Sequence, residues 1–122
     1  MEVGKEKKFL VVDDSKLIHK MFNVMLRQYE VIHAFNGREG LEVASQHPDL
    51  DGILLDINMP VMNGLEFLTA VKSDSTLSSI PVVIISTEGK EEDTIRAMEA
   101  GASAYIKKPF DHKQLLDVIS EI

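Results

Sequence analysis

Short apolar runs alternate with helical patterns along nearly the whole chain. The runs are rich in branched aliphatic side chains and end at polar residues, which is typical of strands buried in a sheet. Between the runs, apolar residues recur at three- and four-residue spacing, which indicates helices that bury one face. The predicted strands are Phe9–Val12, Val31–Phe35, Ile53–Leu55, Val82–Ile85 and Ala104–Ile106.

A predicted helix follows each predicted strand, and several helix ends carry sequence signals. Ser15 and Asp111 precede the first and last helices as N-caps, and Gly101 follows the fourth as a stop signal. The predicted apolar faces are Ile18, Met21, Phe22, Met25 and Leu26 in the first helix, Leu41 and Ala44 in the second, Leu65, Leu68 and Val71 in the third, Ile95, Met98 and Ala102 in the fourth, and Leu115, Ile119 and Ile122 in the fifth.

This alternation predicts an α/β fold with a five-stranded parallel sheet covered by helices on both faces. Near-continuous apolar strands agree with it, because central parallel strands are buried on both sides. The second strand contains His33 and is less uniform, which favours a position at an edge of the sheet.

The size and composition of the chain narrow the possible functions. With 122 residues it fits one domain, predicted over residues 9–122, after a charged, flexible tail over residues 1–8. The net charge of −7 argues against direct nucleic-acid binding, and the absence of cysteine excludes disulfides and thiolate metal sites. No signal peptide or membrane-length apolar run is found, so we expect a cytoplasmic protein.

Polar side chains stand where four of the predicted strands end. Asp13 and Asp14 follow the first strand, Asp56 ends the third, Ser86 ends the fourth, and Lys108 follows the fifth. In parallel α/β sheets this edge holds the ligand site. Three converging carboxylates would repel one another, and Mg²⁺ is the hard cation that suits them. The lysine and hydroxyl would suit a phosphoryl group.

Together these motifs resemble the receiver domain of bacterial response regulators, of the CheY-like single-domain type. The resemblance runs from about Phe9 to the C-terminus. It implies a (βα)5 doubly wound, flavodoxin-like fold with strand order 2-1-3-4-5. The segments that carry it are Val11–Ser15, Leu55–Pro60 with Asn63-Gly64, Ile85–Thr87, Ala100–Tyr105 and Lys108–Phe110.

The resemblance implies a role for each residue of the site. Asp56 matches the phosphoacceptor, and Lys108 matches the lysine that binds the phosphoryl group. Asp13, Asp14 and Asp56 match the acidic residues that hold Mg²⁺, and Asn58 matches the residue whose backbone carbonyl completes the metal site.

Further positions match the switch of the family. Ser86 matches the hydroxyl and Tyr105 the aromatic residue that respond to phosphorylation. Asn58 and Glu88 match the two positions that tune dephosphorylation, and this pair predicts a short-lived phosphoryl state. The Lys108-Pro109 bond is expected to be cis, as in the family.

The function implied is that of a phosphoacceptor in a two-component phosphorelay. A sensor histidine kinase or histidine phosphotransfer protein would supply the phosphoryl group, and a downstream protein would bind the switched face of the fourth and fifth helices and fifth strand. The chain would be a monomer that catalyses only its own phosphorylation and dephosphorylation. Chemotaxis and a relay step both fit.

Two alternatives remain open. One is a Mg²⁺-dependent phosphatase with an aspartate nucleophile, although that class has a second acid where this chain has Asn58. The other is a pseudo-receiver that binds partners without being phosphorylated, which the full acidic set disfavours.

Other polar and sulfur-containing residues are interpreted as structural. Met21, Met25 and Met98 are expected to fill the core. The spacing of the four histidines matches no metal-binding motif, and surface or helix positions are expected for them: His19, His33, His47 and His112.

Overall fold

The alternating patterns form strands and helices in strict alternation in the computed structural model, which describes residues 7–57, 62–86 and 91–122. Within these ranges every predicted strand and helix is present. The strands are β1 (Lys8–Val12), β2 (Glu30–Ala34), β3 (Gly52–Asp56), β4 (Val82–Ser86) and β5 (Ala104–Lys107), and the helices are α1 (Lys16–Met25), α2 (Gly37–Gln46), α3 (Gly64–Ser73), α4 (Glu91–Glu99) and α5 (His112–Ser120).

The strands form one parallel sheet in the order β2-β1-β3-β4-β5, which confirms the predicted order and the edge position of β2. Every residue of β3 and β4 is buried. Residues of α2, α3 and α4 pack on one face of the sheet and residues of α1 and α5 on the other. The carboxyl ends of the central strands therefore lie side by side at one end of the sheet.

The predicted helix signals act as expected. The Ser15 hydroxyl accepts a hydrogen bond from the Ile18 amide at 3.3 Å, and Asp111 forms a capping box with Gln114. Gly101, just after α4, has a φ of 112°, a left-handed conformation that favours glycine.

The buried face of α4 differs from the prediction. Ile95 and Met98 are 58% and 38% exposed, whereas Thr94 and Ala97 are buried. The assignment of Met98 to the core was therefore wrong. The reason is that the small side chains let α4 lie close to the sheet, while the larger ones line a groove beside β5.

The predicted flexible tail lies mostly outside the described residues, and β1 begins at Lys8, one residue before the predicted strand. Within the described ranges, no helix combines the length and apolar composition needed to cross a bilayer.

Candidate functional site

Three carboxylates meet at the carboxyl ends of two neighbouring strands. Asp13 and Asp14 follow β1, and Asp56 is the last residue of β3, which pairs with β1. One carboxylate oxygen from each residue lies within 4.8 Å of the other two. Asp13 is 2% and Asp56 6% exposed, whereas Asp14 is open to solvent. The predicted acidic cluster is therefore present.

The Asp13 carboxylate is buried, and within the described part of the chain one of its oxygens lacks a hydrogen bond. Its Oδ1 accepts a hydrogen bond from the Ser15 amide at 2.8 Å, but its buried Oδ2 has no donor among the described residues. Burial raises the pKa of the Asp13 carboxyl, and the Ser15 amide and Lys108 offset this only in part. A cation placed against this oxygen would relieve the cost of burying it.

Lys108 faces two of the carboxylates across a gap. Its Nζ lies 3.9 Å from Asp13 Oδ2 and 3.9 Å from Asp56 Oδ1, longer than a direct hydrogen bond. Its amide donates to the Ser86 carbonyl at 2.7 Å, which ties the end of β5 to that of β4. The Lys108-Pro109 bond is cis, as predicted. The ammonium is thus held where it can meet an oxygen of an anion bound to Asp56.

The first turn of α3 lies close behind Asp56. The Gly64 amide donates to the Ile57 carbonyl at 3.1 Å, and Asn63 caps the helix. A Cβ atom at Gly64 would lie 2.6 Å from Ile57 Cα and 2.8 Å from the Asp56 carbonyl oxygen. Glycine is therefore required here, because the backbone of the strand end and the helix start approach within contact distance.

Ser86 ends β4 beside the site and is hydrogen-bonded to α4. Its side chain is 3% exposed, and its Oγ accepts a hydrogen bond from Thr94 Oγ1 at 3.0 Å. The sequence interpretation missed Thr94, since it followed the larger apolar residues of that helix. A threonine at a helical position eight residues beyond the strand end, between Asp93 and the apolar Ile95, gives little signal by itself.

Ser86 and Thr94 line a groove of about 520 Å³ between α4 and β5. Tyr105, the predicted switch aromatic, is 52% exposed and lines the groove. An ion pair of 3.1 Å between Lys107 Nζ and Glu91 Oε2 joins β5 to α4. The remaining lining residues are Ile95, Met98 and Glu99.

Two histidines lie together behind Asp13, which the sequence did not reveal. His19 is buried on α1, and its Nε2 lies 2.7 Å from the Asp13 carbonyl oxygen, which can only accept a hydrogen bond. Its Nδ1 lies 2.6 Å from Nδ1 of His33 on β2, and its ring also packs on Phe35. The two residues are fourteen positions apart along the chain, and the packing of α1 against β2 brings them together.

The remaining predicted site residues, Asn58 and Glu88, lie outside the described residues. Their expected roles in metal binding and dephosphorylation stay predictions.

Comparison with known proteins agrees with this fold. The model of the response regulator receiver domain matches residues 9–120. The chain is 37% identical to chemotaxis protein CheY1 of Helicobacter pylori over 118 residues, covering 94% of this chain and 95% of the relative. It is 31% identical to a CheY homolog of Campylobacter jejuni, covering 94% and 91% of the two chains.

A solved structure of chemotaxis protein CheY4 of Vibrio cholerae superposes with a TM-score of 0.88 at 36% identity, covering 97% of this chain and 99% of that one. The chain belongs to the response regulator receiver domain family. Its similarity to CheY proteins over nearly their full length makes it a CheY-like member, consistent with two-component signalling.

Proposed function

We propose that the chain is a phosphoacceptor response regulator of a two-component phosphorelay, with Asp56 as the residue that takes the phosphoryl group. The observation that carries this proposal is the set of charges around Asp56. A nearly buried carboxylate stands at the end of a central strand, with two further acids on one side and the Lys108 ammonium 3.9 Å away.

The proposed reaction is transfer from a phosphohistidine of a kinase or phosphotransfer protein. A carboxylate oxygen of Asp56 attacks phosphorus, the bond from phosphorus to the histidine nitrogen breaks, and the histidine leaves with the electron pair. The product is an acyl phosphate on Asp56. Lys108 would bind an oxygen of the transferred group, because its ammonium lies 3.9 Å from the carboxylate that would carry that group.

Mg²⁺ is the proposed cofactor. Asp13, Asp14 and Asp56 would hold it, together with the backbone carbonyl of Asn58 that the family resemblance implies. The buried Asp13 Oδ2, which accepts no hydrogen bond among the described residues, supports this assignment, as does a donor set made only of oxygen. Bound there, Mg²⁺ would neutralise negative charge on the transferring group.

We propose that phosphorylation is read out on the face formed by α4, β5 and α5. Ser86 would move to donate to the phosphoryl group, and Tyr105 would turn from its exposed position into the groove beside α4. The changed face would then bind a downstream protein.

The test compares Asp56→Asn with Asp117→Asn after incubation with acetyl phosphate and Mg²⁺. Asp117 is an exposed carboxylate on α5, paired with Lys113. We expect intact-mass analysis to show one added phosphoryl group on the wild type and D117N and none on D56N. Labelling of D56N equal to that of the wild type would refute the assignment. Sustained turnover of a phosphomonoester would favour a phosphatase instead.

A further inference from the structure

We propose that Thr94 is a positioning residue that holds the Ser86 hydroxyl toward α4 in the unphosphorylated protein and so restrains the switch. This inference rests on the proposed function, in which Ser86 moves to meet a phosphoryl group on Asp56. In the unphosphorylated protein, α4 would restrain that movement through one hydroxyl.

The evidence is a buried hydrogen bond at the junction of the strand end and the groove. Thr94 Oγ1 lies 3.0 Å from Ser86 Oγ, and the two residues are 7% and 3% exposed. Both line the groove that also contains Tyr105. The bond therefore joins the proposed trigger at the site to the helix whose face is proposed to change.

The identity of residue 86 gives the bond its importance. Serine has a single heavy atom on Cβ, so its hydroxyl can occupy three staggered positions, whereas a β-branched threonine is more restricted. A hydrogen bond to the hydroxyl of Ser86 therefore favours one of these positions over the others. Thr94 supplies that contact from the buried face of α4.

The hydrogen bond opposes the proposed movement. When Ser86 shifts toward a phosphoryl group on Asp56, its distance to Thr94 increases and the hydrogen bond between them is lost. This loss offsets part of the free energy gained from the new hydrogen bond to the phosphoryl group. A neutral buried hydrogen bond changes an equilibrium by about three- to tenfold. Removing this hydrogen bond should shift the equilibrium toward the activated state by the same factor.

The experiment measures the affinity for beryllofluoride, a mimic of the phosphoryl group, by calorimetry in saturating Mg²⁺. Thr94→Val keeps the shape of the side chain and removes the hydroxyl, and Thr94→Ser keeps the hydroxyl. We expect T94V to bind beryllofluoride about three- to tenfold more tightly than the wild type, and T94S to bind as the wild type does.

A double-mutant cycle separates positioning from general packing. In the Ser86→Ala background the partner of the hydrogen bond is gone, so T94V should leave the affinity unchanged. Weaker or unchanged binding by T94V alone would overturn the inference, as would an equal gain in the S86A background. A change in melting temperature with no change in affinity would mean a structural role only. If the wild type itself does not bind beryllofluoride, the proposed function fails rather than this inference.

Discussion

Replacing Asp13 with asparagine should stabilise the metal-free protein, although Asp13 is proposed to hold the metal. The Asp13 carboxylate is buried, its Oδ2 has no hydrogen-bond donor among the described residues, and two further acids lie within 4.8 Å. Asparagine has nearly the same shape and carries no charge. The substitution therefore removes both the desolvation cost and the repulsion, and these outweigh the attraction to Lys108 that is lost with them.

The size of the effect follows from the cost of a buried polar atom without a hydrogen-bond partner, about 1–3 kcal/mol. The amide of asparagine brings donors that also need partners, so we expect a gain of about 1–2 kcal/mol. The entropy of unfolding is about 2.1 cal/mol/K per residue. For a chain of 122 residues this converts 1 kcal/mol to roughly 4 °C. The melting temperature of D13N should rise by about 4–8 °C.

The gain should depend on pH. Burial raises the pKa of the Asp13 carboxyl above its usual value of 3.8, so the folded protein binds this proton more tightly than the unfolded chain does. The stabilising effect of the proton is complete below pH 3.8 and is lost as the pH rises through the folded-state pKa. The melting temperature of D13N should therefore exceed that of the wild type most at neutral pH, and the difference should shrink on acidification.

The assay is thermal unfolding in a chelator and then in millimolar Mg²⁺. Asp14→Asn is the matched control, because it removes an exposed charge from the same cluster and should raise the melting temperature less. Added Mg²⁺ should stabilise the wild type and reverse much of the difference, since a ligand that binds only the folded state stabilises it. A D13N variant that is less stable than the wild type in chelator would refute the reasoning.

Three further outcomes are expected. Gly64→Ala should destabilise the protein by about 1–3 kcal/mol in urea unfolding, because its Cβ would meet backbone atoms of Asp56 and Ile57; an unchanged midpoint would contradict the close approach. Stability should fall as the pH drops below about 6.5, because burial and the neighbouring His19 lower the pKa of His33 in the folded state. His33→Gln should flatten that slope, and a slope equal to that of the wild type would exclude His33 as its source. The phosphoryl group on Asp56 should be short-lived in a decay experiment at neutral pH, and persistence over many hours would contradict this expectation.

Much of the fold and of the acidic cluster could be predicted, because both depend on local pattern. Buried parallel strands require continuous apolar runs, so the end of each run located the edge of the sheet and hence Asp56, Ser86 and Lys108. The position of Asp13 beside Asp56 then followed once β1 and β3 were neighbours.

Other features depend on how elements pack, and pattern alone could not supply them. Thr94 and Ile95 are consecutive residues of α4, and hydrophobicity alone would place Ile95 against the sheet. The fit of Thr94 and Ala97 against the sheet reversed that expectation. The contact of His19 with His33 depends on the order of the strands and on how α1 packs against β2. Neither histidine indicates that packing by its position in the sequence.

That histidine pair also provides a spectroscopic reporter. The nitrogen atoms of two rings lie 2.6 Å apart, and the far nitrogen of His19 contacts the backbone carbonyl of Asp13. Nitrogen and ring-proton resonances are sensitive to such short contacts, and the chain has only four histidines to assign. Selective histidine labelling would therefore follow the backbone at the proposed metal site from a position outside it, without altering any carboxylate.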